Sequence, residues 1–115
     1  MSLRTPYNAR RYNTPVVLTY SEAVVDEFGH ASMGDPVDVC RTYAYVRQMS
    51  ASKTMITFQQ ADVVGLEIEL RNPNVRFNGI RYRGHDVFFS QPTELERGRI
   101  IRLSGWYQQD NPQML

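Results

Sequence analysis

Thiols and imidazoles, the side chains that most often do covalent or acid–base chemistry near neutral pH, are few in this 115-residue chain. Cys40 is the single cysteine, and His30 and His85 are the only histidines. A nucleophilic enzyme needs a thiol or hydroxyl beside a base, a metalloenzyme needs a ligand cluster, and a nucleotide-binding enzyme needs a phosphate cradle. Cys40 follows Val39 in an extended apolar run, where a thiol is expected to be buried and inert. His30 and His85 fall in turns and have no histidine or cysteine partner at ligand spacing. Glu67 and Glu69 share a strand face as paired catalytic carboxylates would, but their alternation with Leu66, Ile68 and Leu70 explains them as the wet side of a sheet. Gly79 and Gly84 bracket Ile-Arg-Tyr-Arg without the Gly-Lys-Ser/Thr ending of a phosphate loop. The chain is expected to be no enzyme and to hold no cofactor and no metal.

A second kind of chemistry is recognition. Phe77, Arg81, Tyr82, Arg83 and Trp106 interleave arginine with aromatic rings, which would suit stacking on single-stranded nucleic acid; a half-buried hairpin has the same composition. A formal charge of +1 supplies no long-range attraction for a polyanion. A small barrel enzyme or ligand carrier is a third reading, which a pocket with converging polar groups would support.

The elements that must position these residues are mostly strands. Residues 16–20, after Pro15, have first-strand composition, and residues 26–29 read as a turn between two short extended pieces. Residues 37–48 predict a long strand with apolar groups on both faces, covered in part on both sides. Residues 50–62 lean to a short helix capped at Ser52, with Met55, Phe58 and Asp62 at helical spacing; the rival parity places Thr54, Ile56 and Phe58 on one strand face. Val64, Leu66, Ile68 and Leu70 give the clearest alternation in the chain. Asn78-Gly79 predicts a tight reversal, residues 80–83 and 86–89 a hairpin about Gly84-His85, residues 91–98 a polar connection, and residues 99–107 a last strand.

The fold expected is mainly β: a small β-barrel or sandwich of about six to eight strands, with one short helix in an inserted loop. The domain map is an extended arm at 1–14, a barrel at 15–108 and a tail at 109–115. No signal-peptide core and no membrane-length apolar stretch is present, and the lone cysteine fits a reducing cytoplasm.

In order, these elements resemble the phage head-tail joining family. The resemblance covers residues 14–107 and rests on the Asp26-Glu27-Phe28-Gly29-His30 turn, the Tyr43-Ala44-Tyr45-Val46 stretch, the polar insertion, Leu66-Glu67-Ile68-Glu69-Leu70-Arg71 and the segment from Arg76 through Gly79 and Tyr82 to Val87. It implies a structural head-tail connector that closes the head after DNA packaging. The family forms homo-oligomeric rings joining portal or adaptor to tail, in the virion neck and, during assembly, in the bacterial host cytoplasm. Tail-completion and other neck proteins share the architecture. The resemblance makes Gln48, Ser50, Ser52, Lys53, Thr54, Thr57, Gln59 and Gln60 candidates for a plug that transiently contacts packaged double-stranded DNA. Arg4, Tyr7, Arg10, Arg11 and Tyr12, with the C-terminal tail, are candidate subunit-contact arms.

Overall fold

The structure is a computed structural model, and it describes residues 11–60 and 62–109. The strands are β1 (Thr14–Tyr20), β2 (Ala23–Val25), β3 (Ala31–Met33), β4 (Val37–Gln48), β5 (Val63–Arg71), β6 (Gly79–Tyr82), β7 (His85–Phe89), β8 (Thr93–Leu95) and β9 (Ile100–Gln108), with one helix, α1 (Ala51–Phe58), between β4 and β5. Six strands hydrogen-bond in the order β5-β4-β1-β6-β7-β9, and an antiparallel β9–β5 ladder closes the sheet into a barrel. β8 adds a seventh strand on the free part of β9, and β2–β3 form a separate two-stranded hairpin. The small-barrel expectation is therefore met, and the sandwich alternative is not.

Alternation decides which side chains enter the barrel, since successive strand residues point to opposite faces. Leu66, Ile68 and Leu70 point inward, level with Ala44 and Val46 of β4 and with Ile101 and Leu103 of β9. Val16, Leu18, Ile80, Tyr82 and Val87 complete the core from the other wall. Phe89 lies opposite Gly105, where a Cβ would come within 2.7 Å of the Phe88 carbonyl oxygen and of Val87 Cγ1. Only a residue without a side chain lets β7 approach β9 there.

Long β4 serves two neighbours. Residues of its first two-thirds pair with β1 and those of its last part with β5, Ala44 being common to both ladders. Between Leu18 and Thr19 the β1–β4 register slips by one residue. The extra residue on β4 is Val39, a bulge that turns the local strand and brings Asp38 opposite Thr19.

Several sequence expectations are corrected here. β4 is covered on both faces only around Tyr45, whose ring lies under Arg11: Cys40, Ala44 and Val46 face the core, whereas Val37 and Tyr43 on the outer face are 63% and 60% exposed. Nothing among the described residues covers the outer face of β4 before Tyr45, so the outward apolar residues there stay wet. The helix cap is Ser50 and not Ser52; the Ser50 hydroxyl accepts from the Lys53 amide at 3.2 Å. Met55 faces solvent, and Thr54 is the side chain that α1 buries, against Gly65. Asn78-Gly79 is no two-residue reversal: the Asn78 amide group brackets Ser21, accepting from its N–H at 2.9 Å and donating to its carbonyl at 2.8 Å. The two-residue turn is Arg83-Gly84, with φ of 51° and 80°, the left-handed pair that matches strand twist in a tight hairpin. The connection expected at 91–98 contains β8, too short to show a period.

Candidate functional site

Three surface features stand out: the β2–β3 hairpin, helix α1, and a groove on the outer wall of β4, β5 and β9. The hairpin departs where β1 ends and β4 begins; α1 departs where β4 ends. At about 3.3 Å per residue, the twelve residues of β4 hold these two appendages roughly 36 Å apart.

All six strand residues of the hairpin are exposed. Its turn is nonetheless well ordered by one carboxylate: Asp26 Oδ1 accepts from the amides of Phe28 at 2.9 Å and His30 at 2.8 Å. Asp26 Oδ2 also lies 3.4 Å from His30 Nδ1, and Gly29 takes the left-handed φ of 82° that closes the turn. The result is a stiff tip presenting Phe28, 77% exposed, with Val24, Val25 and Met33 also uncovered on the strands behind it. Val37 and Val39 continue this apolar surface at the hairpin base, lining a shallow cavity with Tyr20 and Val24. Isolated exposed apolar residues are ordinary on a surface, but a contiguous set on a projecting element is a candidate contact surface.

The wall groove, about 300 Å³, is lined by Arg11, Tyr45, Arg47, Glu67, Glu69 and Arg102 among others. Register explains the assembly: Tyr45, Glu69 and Arg102 lie abreast on β4, β5 and β9, and Arg47 and Glu67 lie abreast one step along. Glu69 is not on the wet side as expected. It is 6% exposed, because the segment preceding β1 folds back across the wall and covers it. The Tyr12 hydroxyl donates to Glu69 Oε2 at 2.7 Å, Arg102 Nη2 donates to Oε1 at 3.1 Å, and Arg11 lies 3.5 Å away while capping the Tyr45 ring at 4.4 Å. Burial alone would raise the Glu69 carboxyl; the hydrogen bonds from Tyr12 and Arg102 and the charge of Arg11 together hold it below its ordinary value. Burial and the Glu69 carboxylate push the Tyr12 hydroxyl the other way, to about 12. Glu67 is held low by hydrogen bonds from Lys53 Nζ at 2.7 Å and from Arg47. Carboxylates so stabilised as anions are poor proton donors near neutral pH, so the groove fits charge recognition better than acid–base chemistry.

The residues singled out in the sequence are distributed as follows. Gln48, Ser50, Ser52, Lys53, Thr57, Gln59 and Gln60 are exposed around α1, while Thr54 is buried and donates to the Ser50 carbonyl at 2.8 Å. Within the plug set, Thr54 and Ser50 therefore hold the helix together. Arg4, Tyr7, Arg10 and the tail beyond Gln109 lie outside the described residues. Arg11 and Tyr12 are not a free arm, since both are docked on the chain's own β5 wall.

The five arginine and aromatic residues do not form one face. Tyr82 points into the core beside Tyr107, and Arg83 covers the Tyr82 ring at 5.2 Å. Arg81 faces outward, where it makes two contacts to Asp38 at 2.9 and 3.1 Å. Phe77 packs on Phe89, and Trp106 packs on Phe88. Among the described residues no group of three or more His, Cys, Asp or Glu is placed to hold a metal ion, and no helix is long and apolar enough to cross a membrane. Cys40, on the inner face of β4, is partly buried against the core. Sequence reasoning missed the hairpin as a site; the signal available was the acidic stretch 21–38, which holds five carboxylates and no lysine or arginine.

No family model matches the chain, and no curated protein matches it significantly. Among solved structures it is similar to the solution structure of protein SF1141 from Shigella flexneri 2a, a structural genomics target. That likeness has a TM-score of 0.56 at 15% sequence identity and covers 92% of this chain and 99% of the other. At this identity the likeness extends to the fold alone, a small β-barrel.

Proposed function

We propose that this chain is a structural assembly protein of a phage or prophage neck, a head-tail connector subunit that closes the filled head and joins portal or adaptor to tail. The observation that carries the reading is a closed barrel with two exposed appendages at opposite ends of one strand: an apolar hairpin on one side and helix α1 on the other. A subunit stacked between two different neighbours needs contact elements pointing both ways, and a rigid barrel fixes the distance between them. The exposed surface of α1 and the residues after it combines neutral polar Ser52, Thr57, Gln59 and Gln60 with apolar Met55 and Ile56 and a single cation, Lys53, and so low a positive charge suits a segment that meets duplex DNA without gripping its phosphates. The resemblance of the strand and turn pattern to the head-tail joining family supports the neck as the place, a tail-completion or other neck protein being the alternative station.

The test is genetic and structural. Removing the gene should give heads that lose their DNA and tails that stay unjoined, and deleting residues 50–60 alone should leave a folded domain with leaking heads. Normal, infectious particles without the protein would refute the proposal. A single-strand-binding barrel has less support, because Tyr82 is buried and Arg81 is paired to Asp38. An oligonucleotide titration at low salt that shows tight, salt-sensitive binding would reverse that preference.

A further inference from the structure

Charge on this molecule is segregated by element. Residues 21–38 carry Glu22, Asp26, Glu27, Asp35 and Asp38 and no basic residue, so the rest of the chain holds seven acidic residues against all thirteen basic ones. Asp38 is paired to Arg81 and Asp26 is engaged with its own turn and His30, whereas Glu22, Glu27 and Asp35 have no ion-pair partner among the described residues. The hairpin is thus a finger with the exposed ring of Phe28 and the carboxylate of Glu27 at its tip, and with Glu22 and Asp35 exposed beside its base. The wall groove has the opposite character. Arg11, Arg47, Lys53 and Arg102 surround two carboxylates, and each guanidinium has five N–H donors, more than Glu67 and Glu69 take up. Guanidinium groups accept both carboxylates and aromatic faces, as Arg11 already does with Tyr45.

The finger cannot serve its own groove. It leaves the barrel at Val37, and the strand rise of about 3.3 Å per residue puts Tyr45 roughly 26 Å further along β4, with Arg47 beyond it. We propose that the β2–β3 hairpin of one copy seats in the arginine-rimmed groove of a second copy, with Phe28 against the guanidinium groups and Glu27 paired to them. Donor and acceptor surfaces differ, so the contact is head-to-tail and leaves a free finger and a free groove at the two ends of any dimer. Repeated with a fixed rotation, it closes into a ring. The inference rests on the assembly reading above and names the surfaces that would carry it.

Two variants of the full chain test it, each checked for native circular dichroism: E27K/F28A in the finger and Y45A/R47A in the groove. Sedimentation velocity at low salt should show that the parent self-associates and that added salt weakens it, because the contact is ionic and exposed. Each variant alone should associate at least tenfold more weakly. Mixing the two should restore a dimer and nothing larger, since the finger variant keeps an intact groove and the groove variant an intact finger. Parent-like association of either variant, or a mixture that fails to dimerise, overturns the contact while leaving the neck assignment to the gene-deletion test. A parent that stays monomeric at millimolar concentration also overturns it, and loss of the finger variant from virions would then give the hairpin to a different neck protein.

Discussion

Replacing Tyr12 by phenylalanine removes one oxygen atom and nothing else from the wall groove, and the consequence can be worked through. The Tyr12 hydroxyl is 57 residues from Glu69 in sequence and donates to a carboxylate that is 6% exposed. A hydrogen bond to a buried charged group contributes about 1.5–3 kcal/mol, and its loss leaves Glu69 under-bonded. Arg102 and Arg11 remain, which keeps the penalty near the middle of that range, about 2 kcal/mol. For a domain of this size that is a fall in Tm of roughly 8 °C. The pH dependence gives a second signature. In the folded protein Tyr12 titrates at about 12 in place of 10.0, so its contribution is complete below pH 10 and is lost as pH rises through 12. Glu69 works in the opposite sense: it is depressed below 4.5, and its contribution is present above that pH and is lost as pH falls through the lowered value. The Tyr12→Phe variant should therefore lack the component lost between pH 10 and 12 and should also show a shallower acid limb. Urea unfolding followed by Trp106 fluorescence across pH measures both. A variant within about 0.5 kcal/mol of the parent, with the same alkaline profile, would refute the docking of this segment on β5.

Gly65→Ala should loosen α1 and little else, because the new Cβ would sit 2.6 Å from Thr54 Oγ1 and 3.0 Å from Met49 Sδ; about 1–3 kcal/mol of strain is expected, read as faster proteolysis within 49–62 and a loss of helical circular dichroism. Gly105→Ala should be worse, on the order of 3 kcal/mol, since the Cβ meets backbone at the Phe88 carbonyl and cannot be relieved by a rotamer change; a lowered urea midpoint is the readout. Leu103→Ala in the core should cost about 2–5 kcal/mol in the same assay, whereas breaking the exposed Arg81–Asp38 pair with Arg81→Ala should cost less than about 1 kcal/mol.

The strands were legible wherever period and burial coincide. β5 and β9 alternate cleanly because each contributes a row of side chains to the dry interior and a row to the wall, and a period of two records that directly. β4 misled because apolar residues at Val37, Val39 and Tyr43 were assumed to be covered, and composition cannot distinguish an apolar residue in a core from one on a docking surface. Glu69 misled for the converse reason: what buries it is Tyr12, brought across the wall by the fold, and no local pattern announces a contact over that separation. The register slip at Val39 was equally silent, although it is what sets Asp38 beside Arg81. Of the candidate sites, α1 was visible as a segment, the finger only as a turn flanked by scattered acids, and the groove not at all, since its lining comes from three strands and the segment before β1.

The β5–β9 ladder that closes the barrel has a bearing on how the chain reaches this state. Leu18 must meet Ile80 and Val63 must meet Gln108, so neither β1 nor β5 is paired on both sides until most of the sequence has been made. Contacts of such long sequence separation are slow to form, because the loop entropy is lost before the contacts repay it. Until β9 docks, β5 and β7 are bare edges, open to pairing with any other extended chain. A fragment ending before β9 is thus expected to aggregate rather than to persist as a stable half-barrel, and during synthesis the last strand acts as the latch that closes both open edges at once.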